Sequence, residues 1–75
     1  MEKKKIILSD IQKELAEVIK HSGLTQSEIA RRLGISQSQI SCYVYGKKMP
    51  ALDTFANLCV VLDVDPADIL CTKKF

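Results

Sequence analysis

Nothing in this 75-residue chain is spaced for covalent or metal cross-linking. Its three cysteines, Cys42, Cys59 and Cys71, are odd in number, far apart and without a CxxC pair. That argues against a disulfide framework and against a structural zinc site. Reduced thiols in a cytosolic protein are the simpler reading. Histidine is just as scarce. The single His21 falls where the first helix should end, a position that suits partial positive charge. No Ser or Cys nucleophile has a matching base and acid, so no catalytic residue is expected. Asp63-x-Asp65 runs into Pro66 and lacks the Gly and Glu of a calcium loop. The expectation is no metal, no cofactor and no small-molecule substrate. Long apolar runs are missing too. Spanning a bilayer takes about 20 apolar residues, so no membrane partner is expected. The opening Met1-Glu2-Lys3-Lys4-Lys5 has the charge of a secretory n-region, but only Ile6, Ile7 and Leu8 follow before Ser9 and Asp10. A secretory apolar region needs at least about seven, so the expected location is the cytoplasm.

Strand signals are absent as well, since no run alternates apolar and polar residues with period two. There is no repeat, linker or low-complexity tract. At this length a domain buries only about 60% of its unfolded surface, so one small domain over residues 1–75 is expected, with 1–8 and 71–75 as frayed ends. The net charge of +2 is modest, but it is unevenly placed. Residues 1–23 carry five lysines against four acids, and residues 24–50 carry Arg31, Arg32, Lys47 and Lys48 against Glu28 alone. Residues 51–75 carry two lysines against four aspartates. The basic middle would turn the protein towards a polyanion.

What the sequence does contain is a recurring unit: a capping residue, a helical apolar pattern, then a stop. The first helix starts near Ser9, where Ser9-x-x-Gln12 forms a capping box, and buries Ile11, Leu15, Val18 and Ile19 before Gly23. Ile6 to Leu8 are positioned to extend it backwards. The second helix opens with the box Thr25-x-x-Glu28, turns Ile29, Ala30 and Leu33 inward and stops at Gly34. The third opens with Ser36-x-x-Gln39 and buries Ile40 with Tyr43 or Val44 before Gly46. Only Gly34 and Ile35 separate these two, which forces the large crossing angle of a helix-turn-helix unit. The fourth helix runs from about Leu52 to Leu62 after Pro50, with Phe55, Leu58, Cys59 and Leu62 inward and Asp63 as a left-handed stop. The fifth begins at Asp65 with Pro66 in its first position, Asp68 beside the helix dipole, and Ile69 and Leu70 closing the core. Cys71 is open between core and tail. The expected fold is an all-α, compact five-helix bundle.

The exposed side of the third helix carries the functional signal. Gln37, Ser38, Gln39 and Ser41 are uncharged hydrogen-bonding groups in close succession. Gln bonds the adenine edge in two places, and Ser serves any base as donor or acceptor. Solubility alone would be better served by Lys and Glu. Around this turn, Gln26 with the free amides of the second helix, and Lys47 and Lys48 after the third, are candidate phosphate contacts. Arg31 and Arg32 are open between a phosphate and solvent. Double-stranded DNA is therefore the expected partner.

The stretch Leu24-Thr25-Gln26-Ser27-Glu28-Ile29-Ala30-x-x-Leu33-Gly34-Ile35-Ser36, continuing through Gln39-Ile40-Ser41 and Gly46-Lys47-x-x-Pro50, resembles the Cro/C1 repressor-type (XRE-family) helix-turn-helix. The likeness extends through Leu52-Asp53-Thr54-Phe55-Ala56 and Leu62-x-Val64-Asp65-Pro66-x-Asp68-Ile69-Leu70, covering roughly residues 9 to 70. It implies a lambda-repressor-like domain. Gln26 would contact phosphate, Gln37, Ser38 and Cys42 would meet bases with Gln39 and Ser41 in support, and Tyr45 and Lys47 would contact the DNA backbone. Two positions depart from the family pattern. Where many members pair an Arg on the first helix with a Glu near the end of the third, this chain has Ile19 and Val44, which are expected to pack together. Ala51 stands where a capping Ser is common, so the fourth helix is expected to start loosely.

Val60, Val61 and Val64 are more apolar surface than the fourth helix needs, and at least one should point outward. With Phe75 and Cys71 they would form an apolar patch that a two-fold dimer could bury, placing two third helices about 34 Å apart on a palindromic site. The overall expectation is a DNA-binding transcription regulator, a repressor acting as a dimer. The alternative is an antitoxin-like protein-interaction module of the same fold, with the valines as its working surface. Lys3 to Lys5 are open between an arm along DNA and a solubilising end.

Overall fold

A computed structural model describes residues 5–74, with the backbone alone at Lys74. The expected all-helical bundle is what forms, with no strand among the described residues. Its helices are α1 (Leu8–Lys20), α2 (Gln26–Leu33), α3 (Gln37–Val44), α4 (Leu52–Leu62) and α5 (Pro66–Leu70), followed by a short 3₁₀ turn, Thr72–Lys74. Helix α1 packs against α3 and α5, and α2 packs against α3 and α4. Helix α3 is thus held by both helices that precede it.

Each helix sends one completely buried side chain into a shared core: Leu15, Ile29, Ile40, Leu58 and Ile69. Fully burying such a residue is worth about 1.5–3 kcal/mol, so these five anchors dominate a small core. Around them lie Ile19, Ala30, Tyr43, Val44, Phe55, Cys59 and Leu62. Tyr43 and Val44 are both buried, so the inner face of α3 takes both of the residues between which the sequence left a choice. Ile19 and Val44 belong to the same cluster, on helices that pack together.

The helix ends follow from their residues, with four corrections to the sequence reading. Helix α1 is capped two residues earlier than Ser9. Ile7 is its cap residue, and the Asp10 carboxylate accepts the Ile7 N–H at 3.4 Å, so Ser9 falls inside the first turn and caps nothing. Thr25 and Ser36 cap α2 and α3 as expected, accepting the N–H groups of Glu28 at 3.0 Å and Gln39 at 3.3 Å. The second correction concerns the return half of those boxes. It is not made: the Glu28 carboxylate turns to Arg31 and Arg32 instead, where opposite charge outweighs a backbone amide. The third concerns the end of the chain. Cys71 is buried, in the left-handed conformation at φ 65°, and residues 72–74 continue as helix, so the frayed end expected from residue 71 does not begin there. Lys73 explains why, since its ammonium lies 3.1 Å from Asp65 and 3.0 Å from Asp68 and clips the turn onto the start of α5.

The fourth correction concerns the end of α1, which stops at Lys20 with His21 as its C-cap, short of the Gly23 read as its stop; the later stops are as read. Gly34 ends α2 at φ 72°, and Asp63 ends α4 at φ 55° while Val64 N–H closes back onto the Cys59 carbonyl at 3.0 Å. Asp65 caps α5 by accepting the Ala67 N–H at 2.9 Å, with Pro66 in the first turn. At Ala51 no side chain caps α4.

Candidate nucleic-acid interface

Helix α3 is two-faced for a simple reason. At 3.6 residues per turn, Ile40, Tyr43 and Val44 share the side turned to the core, and Gln37, Ser38, Ser41 and Cys42 fall on the other. Gln37 and Ser38 are exposed, whereas Gln39, Ser41 and Cys42 are half-buried. The Ser36 and Ser38 hydroxyls lie 3.1 Å apart, so the Ser38 side chain is drawn back over the cap, beside Gln37. The five residues read as base contacts therefore lie together along one helix, with the pair nearest its start most open.

The residues read as backbone contacts lie just after α3 and at the start of α2. Tyr45, at the end of α3, is 70% exposed, and Lys47 and Lys48 follow it in the open. Gln26 stands half-buried in the first turn of α2, in the same helix-turn-helix unit. The loop bearing the lysines is tightly tied. The Lys47 and Lys48 N–H groups converge on the Cys42 carbonyl at 2.8 and 3.4 Å, and Gly46 takes the left-handed conformation at φ 72°. A further tie had no signal in local spacing: the Gln12 amide donates to the Gly46 carbonyl at 3.3 Å, across 34 positions of sequence.

Arg31 and Arg32, left open between a phosphate and solvent, both lie against an acid of their own helix. Both bond the Glu28 carboxylate, Arg31 through Nη2 and Nε and Arg32 through Nε at 2.8 Å. Hydrogen bonds from Arg31, and then from Arg32, hold the Glu28 carboxyl below its usual range, and the same contact raises the Arg31 guanidinium. Glu28 thus draws two cations of the basic middle to itself. Burial pushes the Tyr43 phenol and the Cys59 thiol up, keeping both neutral. Among the described residues no group of histidine, cysteine and acidic side chains is placed to hold a metal ion. No described helix is long and apolar enough to cross a membrane.

Of the three valines, Val60 is 78% exposed, while Val61 and Val64 pack partly against the core. Cys71 is buried and cannot join an exposed patch, which corrects that part of the reading. Phe75, like Lys3 and Lys4 of the suggested arm, lies outside the described residues.

Two helices joined across Gly34 and Ile35, the second with a polar outer face and a basic loop behind it, define a helix-turn-helix nucleic-acid-binding domain. The helix-turn-helix family model matches residues 15–69, and the chain belongs to that family, of the Cro/C1 (XRE) type, whose members are DNA-binding regulators. No curated protein and no solved structure matches it.

Proposed function

We propose that the protein is a sequence-specific transcription regulator, a repressor by occupancy, that inserts α3 into the major groove of double-stranded DNA as a cytoplasmic operator-binding protein. Gln37 and Ser38 read base edges, with Gln39, Ser41 and Cys42 alongside. Gln26, Tyr45, Lys47 and Lys48 hold the phosphates on either side. The observation that carries this reading is the outer face of α3: an exposed, uncharged, hydrogen-bonding turn on a helix whose opposite face is locked into the core. Phosphate contacts fix register, and amides and hydroxyls that reach the groove supply specificity.

The regulator acts as a two-fold dimer on a palindromic site, with the exposed Val60 at the centre of the contact and Val61 and Val64 at its edge. Support comes from Val60 alone in full, since the other two are already half-used by the core. The test of the recognition surface is Gln37→Ala. Its side chain is exposed, so folding should be little changed, within about 0.5 kcal/mol. Specific binding should weaken by about 1–3 kcal/mol, with preference relaxed at one base position. A uniform loss on all sequences would place Gln37 on the backbone instead.

A further inference from the structure

We propose that Gln12, on α1 and outside the recognition unit, is a positioning residue for the DNA-backbone contacts of Lys47 and Lys48. The inference rests on the reading of those two lysines as phosphate ligands. Three observations carry it. The half-buried Gln12 side chain donates from Nε2 to the Gly46 carbonyl at 3.3 Å. Its Oε1 and Cδ sit over Gly46, 3.7 and 3.8 Å from where a Cβ would stand, so the amide covers the one residue of the loop in the left-handed conformation. On the other side of the same residue, the Lys47 and Lys48 N–H groups are held by the Cys42 carbonyl of α3.

The loop is therefore clamped twice, by the recognition helix through its amides and by α1 through its carbonyl. An exposed lysine on a long flexible stem gains little from a charge alone; what sets its reach is where its backbone is held. The Cys42 bond fixes the two lysines relative to α3. The Gln12 bond fixes the carbonyl that precedes them relative to the body of the domain. Loss of the second clamp leaves the helix intact and lets the loop turn about Gly46, whose backbone is the freest in the segment.

The test is Gln12→Met, which keeps length and removes the donor, measured in two backgrounds: the native chain and the double variant Lys47→Ala, Lys48→Ala. The probe is a duplex of random sequence, because binding to it reports phosphate contacts. In the native background Gln12→Met should weaken binding about two- to tenfold, the factor a single intramolecular hydrogen bond carries, and make the salt dependence shallower. In the double variant it should change nothing, since the contacts it positions are gone. Independently of DNA, amide hydrogen exchange at Lys47 and Lys48 in the free protein should quicken by a similar factor, with the amides of α1 unchanged. An equal loss in both backgrounds, or unchanged exchange at the two lysines, overturns the assignment. If the double variant itself binds as tightly as the native chain, the phosphate reading of the loop has failed, and the positioning role falls with it.

Discussion

Thr25 holds the backbone amide of Glu28 at 3.0 Å, yet the Glu28 carboxylate points away from Thr25 towards two arginines. The pair divides two tasks: Thr25 starts α2, and Glu28 ties up charge on its surface. Thr25→Ala should therefore cost about 1 kcal/mol of stability, the usual value of such a cap, read from denaturant unfolding. Glu28→Gln should act on DNA. Arg31 and Arg32 would be released from their shared acid, so binding to random duplex should tighten and its salt dependence steepen. Unchanged salt dependence would mean that neither arginine reaches the DNA.

Lys73 clips the last turn to the start of α5, and its contribution has a defined pH window. Asp65 is held below its ordinary value, first by the Ala67 amide and then by Lys73, so its share of stability is full above the ordinary carboxylate range and lost as pH falls through the lowered value. Lys73 is raised by its bonds to Asp68 and Asp65, so its share is present below the ordinary lysine value and lost as pH rises through the raised one. Between about pH 5 and pH 9, inside both limits, Lys73→Met should lower the unfolding midpoint by a constant amount. The difference from the native chain should shrink at both extremes. A pH-independent difference would show that Lys73 acts through packing alone.

Val60 gives a direct test of the dimer. At 78% exposure it contributes little to the core, so Val60→Asp should leave the fold intact. Sedimentation should then show the native chain self-associating and the variant monomeric, with weakened binding to a palindromic duplex. Monomer at every concentration for both chains, with and without DNA, would remove the valine from the interface.

Most of the fold was legible because its determinants are local. The bounds of α4, the left-handed Asp63, the Thr25 and Ser36 caps and the Pro66 start of α5 each rest on a residue acting within a turn of itself. What escaped involves competition or distance. Glu28 had a backbone amide and two cations within reach, and spacing alone does not say that charge wins. Cys71 stays open between core and tail in the sequence because the Lys73 clip acts back across α5, from a segment with no apolar period. Gln12 looked like half of a capping box, and its actual partner is a carbonyl 34 residues away. The surface chemistry of α3 was legible for the same reason as the caps: three buried residues at helical spacing dictate which side faces out.

The central claim, that α3 reads sequence, is tested most directly by enriching bound duplexes from a randomised pool and measuring the salt dependence of binding to those recovered. The account predicts an enriched palindrome whose half-sites lie one helical turn apart, bound much more tightly than random duplex at the same salt. Binding that is weak, equal on all sequences and abolished by moderate salt would contradict it.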